Sequence, residues 1–208
     1  MKLIKNSFLG LLLSCILISW CSISINKQLE KKGDTDTQKS ITNQEDNGKI
    51  TNENQNTDIN QFVEYENKKF NFKLDIPSKR TFQENSQWFD LKLNTPKNDD
   101  INENLWVKVQ TLKKQETLEN FSQTTIEWLK NLYEDYNEIK KENIKINWID
   151  GIQLIYEISE NWYKIKSQQT TLIKENKSYI FQYTATKESF DMYINNINNI
   201  IKSFTILN

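Results

Sequence analysis

Histidine is absent from this chain of 208 residues. Its absence excludes the Ser-His-Asp and Cys-His arrangements of nucleophilic catalysis and any zinc site held by imidazole. Cysteine occurs only at Cys15 and Cys21, so nothing downstream can supply a disulfide, a reactive thiolate or iron–sulfur ligands. Glycine and proline are scarce, at 4 and 2 copies. Past residue 60 the sole glycine is Gly151, and no P-loop, GxGxxG turn or glycine-rich oxyanion turn can be written with that stock. No sign of charge dominates either. With 27 basic and 28 acidic residues the net charge is −1, which offers no global field to nucleic acid.

Three regions differ in composition. In residues 1–25, Lys2 and Lys5 precede a run from Phe8 to Ile25 without a charged side chain, the pattern of a Sec-type export signal. It resembles a bacterial lipoprotein signal, in which a cysteine after the cleavage site receives diacylglycerol. Leu12-Leu13-Ser14-Cys15 has the small residue such a box needs before its cysteine. Ile18-Ser19-Trp20-Cys21 lies at the more usual distance but carries Trp20 at that small position. Lipidation at Cys15 or Cys21 is therefore expected, beside two other readings: an uncleaved anchor, since about 18 apolar residues just span a bilayer, and a released product. Residues 26–60 contain long polar stretches such as 31–40 and 51–58, which cannot offset their ordering entropy by burial and read as a disordered tether. About 35 residues of random coil reach roughly 30–35 Å.

The third region, residues 61–208, alternates like a sheet. Phe70, Phe72, Leu74 and Ile76 precede Pro77; Phe89, Leu91 and Leu93 form a second run; Leu105, Val107 and Val109 form a third. Period-two patterning of this kind marks half-buried strands. Ile144, Ile146 and Trp148 lead into Asp150-Gly151, and Ile152, Leu154, Tyr156 and Ile158 follow. Parity within that hairpin predicts Trp148 opposite Ile152 and Ile146 opposite Leu154, with Gly151 closing a three-residue loop in the left-handed region. A further hairpin joins residues 163–173 to 178–185 through Lys174-Glu175-Asn176-Lys177. The period becomes helical over Phe121, Thr125, Trp128, Leu129, Leu132 and Tyr136, with Thr117 placed as cap and Glu119 in the first turn, and Lys140 and Lys141 at the polar helix end. It does so again over Phe190, Ile194, Ile197, Ile201 and Phe204, capped by Thr186. The prediction is an α+β domain: a twisted, mostly antiparallel sheet covered by two helices, with a possible short last strand.

Three stretches resemble the PsbP-like group, named for the extrinsic subunit P of photosystem II and sharing its fold with DcrB-type lipoproteins. They are Tyr65-Glu-Asn-Lys-Lys-Phe-Asn-Phe-Lys-Leu-Asp-Ile-Pro77, Ile146-Asn-Trp-Ile-Asp-Gly-Ile-Gln-Leu-Ile-Tyr156, and Tyr179-Ile-Phe-Gln-Tyr-Thr-Ala185 followed by Phe190-Asp191 and Ile200-Ile-Lys-Ser-Phe204. The resemblance implies an α/β/α sandwich and no common catalytic centre. It departs where Ser78-Lys79-Arg80 replace the family's tryptophan after the first proline, and a histidine-dependent metal site of plant members has no counterpart.

Candidate sites are few. Trp106 is out of phase with Leu105, Val107 and Val109, so it points to the opposite sheet face; if uncovered there, it is a contact residue. Lys164 and Lys166 share one strand face, and with Lys108 and Trp106 they make the expected binding face. Asp99, Asp100 and Glu103 form a weak calcium candidate that lacks a turn glycine. No cofactor is called for. The expected function is a lipid-anchored, extracytoplasmic binding or accessory module without catalysis, with an unknown protein or envelope partner. The alternative is a cell-wall or carbohydrate-binding protein using exposed aromatics, and an enzyme of unknown type comes a distant third.

Overall fold

The computed structural model describes residues 61–78, 80–94, 103–113, 116–160 and 162–207. The expectations for Cys15, Cys21, the tether, Asp99 and Asp100 lie outside these residues. Among them, strands form two antiparallel sheets. The smaller has the order β1 (Phe62–Asn67), β2 (Phe72–Pro77), β10 (Thr205–Ile206). The larger has the order β3 (Phe82–Glu84), β4 (Leu91–Asn94), β5 (Asn104–Thr111), β9 (Lys177–Thr186), β8 (Tyr163–Lys174), β7 (Ile149–Glu160), β6 (Asn137–Ile146). Helix α1 spans Leu118–Leu132 and α2 spans Lys187–Lys202. This is the α+β sandwich expected, with its strands divided between two sheets.

Alternation sorts the side chains into layers. Phe72, Leu74 and Ile76 of the small sheet meet Leu105 and Val107, Phe181 and Tyr183, and Phe190, Ile197 and Ile200 of α2 in one buried cluster. Phe204, just past α2, is its keystone: its ring lies 5.7 Å from Phe72, 5.0 Å from Tyr179 and 5.1 Å from Phe181. Truncating a side chain so enclosed costs about 3–5 kcal/mol. The opposite face of the large sheet carries α1, whose Ile126 and Leu129 pack on Leu154, Tyr156, Ile158 and Ile165. Phe121 of α1 packs with Trp106 and Ile180. Thr117 and Thr186 cap the two helices as expected, accepting hydrogen bonds from the amides of Asn120 and Ser189.

Several expectations are corrected. Helix α1 ends at Leu132, which is exposed, so Tyr136 lies beyond it and Lys140 and Lys141 belong to β6. β1 and β3 carried too little alternation to read as strands; β1 buries only Tyr65 and Asn67. The largest correction is the β6–β7 register. Ile146 pairs with Ile149, Ile144 with Gly151 and Asn143 with Ile152. The turn is the two residues Asn147 and Trp148, at φ 45° and 68°, so both central positions are left-handed, as in a type I′ hairpin. Gly151 sits inside β7, opposite Leu172 of β8. A Cβ there would lie 2.8 Å from the Thr171 carbonyl oxygen. The glycine serves close approach between strands, not a turn.

Candidate functional site

The expected binding face does not exist as one surface. Paired residues of a sheet share a face, and Trp106 pairs with Gln182, which pairs with Gln169. These point to α1. Lys166 pairs with Ala185, a member of the cluster under α2. Trp106 and Lys108 thus lie on one side of the sheet, and Lys164 and Lys166 have the parity of the other. Trp106 is buried, covered by Phe121, which rules it out as an exposed stacking platform. Lys108 lies 3.7 Å from Asp90, whose other oxygen accepts the Val109 amide at 2.7 Å. Lys166 pairs with Asp191 at 3.1 Å and sits over the Phe190 ring. Lys164 donates to Asp135 at 3.0 Å and to Ser159 at 2.6 Å. Each lysine is held by its own neighbours.

Glu103, the described member of the calcium candidate, turns inward and is 1% exposed. It lies in the field of Arg80, whose guanidinium burial holds below its ordinary value while Glu103 and two tyrosines oppose that shift. Burial, and then Glu103, raises the Tyr183 hydroxyl. Among the described residues no group of three or more acidic or cysteine side chains could hold a metal ion.

Acid–base chemistry finds little to use. Burial pushes the hydroxyls of Tyr133 and Tyr156 up to about 12. Tyr156 belongs to a polar network under α1, where Gln182 donates to its oxygen at 3.1 Å. Burial raises Glu160 and lowers Lys92, the directions that catalysis exploits. Those two groups are on β7 and β4, with β5, β9 and β8 between them, and form no pair.

What the fold does display is aromatic. Trp148 is 90% exposed and Trp162 fully so. Both have left-handed backbones, at φ 68° and 73°, conformations that cost a bulky residue about 1–2 kcal/mol. The two sit at opposite ends of the large sheet, because β7 runs from the Trp148 turn at Ile149 to Glu160 beside Trp162. Asn147 fixes the first turn to the end of α2, donating from Nδ2 to the Phe204 carbonyl at 2.7 Å. The ends differ in charge. Toward Trp148 lie Lys145, Lys174, Lys177 and Lys202 with Asp150 and Glu175, whereas toward Trp162 lie Asp135, Glu138, Glu157, Glu160 and Glu188 with Lys164, Lys166 and Lys187. Net charge conceals this, and only counting charge turn by turn along the hairpins could have revealed it.

A model of the DcrB family matches residues 73–203, more than half of the chain. The chain belongs to the DcrB family. The matched span starts in β2 and ends just past α2, so it covers both core layers of the domain. DcrB-type architecture extends to solved structures of low identity. The solution structure of cyanobacterial PsbP, CyanoP, from Synechocystis sp. PCC 6803 shares 13% identity at a TM-score of 0.55, covering 76% of this chain and 98% of that one. LpqN of Mycobacterium tuberculosis, described as involved in cell envelope biogenesis, shares 14% at 0.56, covering 71% and 91%. PA94 of Pseudomonas aeruginosa, described as a putative regulator of unknown function, shares 10% at 0.51, covering 68% and 94%. These likenesses show the fold, and the PsbP-like resemblance of the sequence agrees with them. No curated protein matches the chain.

Proposed function

We propose that the chain is a membrane-tethered binding or accessory module of DcrB type, facing the extracytoplasmic side and without catalysis of its own. The observation that carries this reading is the display of Trp148. A large aromatic is held on a two-residue turn whose geometry favours glycine, 90% exposed, and pinned by Asn147 to the core. Such an arrangement suits a preorganised contact anchor, since an aromatic with few rotatable bonds loses little entropy on binding. The uncharged N-terminal run, with Cys15 or Cys21 as lipidation site, and the polar residues 26–60 support a tethered domain. The envelope role in the description of LpqN is consistent with that setting.

A photo-crosslinking residue placed at position 148 of the full chain in intact cells tests the reading. Adducts that co-sediment with membranes are expected. Absence of adducts at 148, together with turnover of a substrate by the purified protein, would overturn it. Metabolic labelling with a palmitate analogue tests the anchor, and labelling that survives both Cys15→Ala and Cys21→Ala refutes lipidation. A second reading, binding of envelope carbohydrate, is favoured by the same exposed tryptophans, because rings in solvent suit sugar stacking. Retention on a glycan resin that is lost in Trp148→Ala would support it. Trp106→Ala does not test it, since Trp106 is buried.

A further inference from the structure

We infer that the Trp148 end of the domain docks on an anionic lipid surface, with the acidic Trp162 end pointing away; this rests on the tethered reading above. Three turns, the segment after β5, the C-terminal segment and a helix terminus converge at this end. Leu112 donates its amide to the Asn176 carbonyl at 2.8 Å, tying the segment after β5 to the β8–β9 turn. Leu207 donates to Asn71 at 2.7 Å, tying the C-terminal segment to the β1–β2 turn. Asn147 brings the β6–β7 turn to the end of α2. Lys68, Lys113, Lys145, Lys174 and Lys202 are exposed on these pieces and Lys177 is half-buried. Of these six, only Lys145 is ion-paired among the described residues, to Asp150 at 3.0 Å. Glu66, Glu116, Glu142, Asp150 and Glu175 are the carboxylates nearest these lysines along the chain; Glu142 is paired with Lys140 at 2.8 Å, so the six lysines outnumber the other four carboxylates.

The chemistry of this end matches a bilayer surface of negative charge. Indole prefers the headgroup boundary, where its ring is half-dehydrated and its N–H stays wet. Lysines on several separate turns can each reach phosphate groups without a shape-matched partner, and their attraction adds up across the surface. The protruding position of Trp148, at the tip of its hairpin, suits insertion between headgroups better than a fit into a protein pocket. At the other end Lys164, Lys166 and Lys187 are already paired with Asp135, Asp191 and Glu157. Glu134, Glu138 and Glu188 are exposed there and are repelled by anionic lipid. A tether of about 35 residues also holds the domain at roughly millimolar effective concentration beside the bilayer, so weak contacts suffice.

The test uses the full chain reconstituted through its own N-terminal segment into vesicles of phosphatidylcholine alone or mixed with phosphatidylglycerol. Brominated lipids quench tryptophan that enters the bilayer. In a Trp20→Phe background, which removes the tryptophan of the anchor segment itself, a quenched component should be present in anionic vesicles, absent when Trp148→Phe is added and unchanged when Trp162→Phe is added. It should vanish at about 0.5 M salt, where screening is within a few ångströms. The combined change Lys145→Gln, Lys174→Gln and Lys177→Gln, which keeps the indole, should weaken it by about tenfold or more. Equal quenching in zwitterionic and anionic vesicles, or none attributable to Trp148, would overturn the proposal. Flotation of the chain with the vesicles is read in the same samples. Failure to float refutes the tether, whereas flotation without Trp148 quenching refutes the docking alone.

Discussion

The two ends of the large sheet have the same architecture and opposite electrostatics. Each presents an exposed tryptophan on a left-handed backbone at the tip of a β7 hairpin. At the Trp162 end, nearby carboxylates are tied into local networks. Asp135 accepts from the Ser159 amide at 3.0 Å, from the Ser159 hydroxyl and from Lys164, and Lys187 pairs with Glu157 at 3.1 Å. At the Trp148 end the lysines are largely unpaired and the bonds that matter are to backbone, through Asn147. The difference teaches that charge on a small domain should be read by location. Salt bridges that satisfy one another close a surface, whereas like charges left apart keep it open to a partner of the opposite sign.

The strongest way to break this comparison is to loosen the strand pair that carries the Trp148 tip. Gly151→Ala, Gly151→Asn and Gly151→Val should each destabilise the domain by about 1–3 kcal/mol, because any Cβ meets the Thr171 carbonyl and the Leu172 side chain. Urea melts check this. Tolerance of Asn alone would restore the left-handed turn at Gly151 that the sequence suggested.

A smaller effect is expected from Asn147→Ala. It removes the hydrogen bond to the Phe204 carbonyl and substitutes a residue that resists positive φ, at a cost of about 1–2 kcal/mol. Hydrogen exchange of the β6–β7 turn should accelerate while the Trp162 end is unaffected. If both ends respond equally, the tips are not independently held.

Smaller again, and opposite in sign, is Trp148→Gly. It relieves a strained backbone and an exposed ring, giving the Asn-Gly sequence that type I′ turns favour, and should stabilise the domain by about 0.5–1 kcal/mol. Loss of stability would show that the indole is packed rather than displayed. A residue whose replacement stabilises the fold is one retained for contact.

The smallest effect belongs to the acidic end. The hydrogen bonds from Ser159 and then Lys164 hold the Asp135 carboxyl at about 2. A carboxyl held below its unfolded value contributes stability above pH 4, and that contribution fades as pH falls toward 2. Asp135 is largely exposed, so screening limits the effect to under about 1 kcal/mol. Asp135→Asn should therefore be slightly destabilising at pH 6 and indistinguishable from wild type near pH 2, as followed by thermal melts. A difference independent of pH would mean that the aspartate acts by shape alone.

Both helices were legible from sequence, because period 3.6 with Thr117 and Thr186 as caps has no competing explanation. The β8–β9 hairpin was legible too, since its polar turn is flanked by long apolar alternation. The β6–β7 register was not. Asp150-Gly151 is a stronger turn signal than Asn147-Trp148, and parity along β6 permits either placement. Three-dimensional crowding against β8 decided it, by reserving the glycine for a position where no Cβ fits. The candidate site was less legible still. Trp106 was correctly placed out of phase with its neighbours, but alternation states only which face a residue takes, and α1 covers that face. Trp148 looked like a core residue because it continued the phase of Ile144 and Ile146. The chain turns one residue after Ile146, and the phase ends there.

By itself the sequence determined an α+β domain with two capped helices and a residue stock without histidine or glycine-rich loops. These follow from composition and periodicity, which are local along the chain. Tertiary structure alone decided which tryptophans meet solvent, which lysines are neutralised and how charge is divided between the two ends. Those depend on strand order and register, which bring β5, β8 and β9 side by side across long stretches of chain. Distance through space, not along the sequence, sets both burial and Coulomb energy.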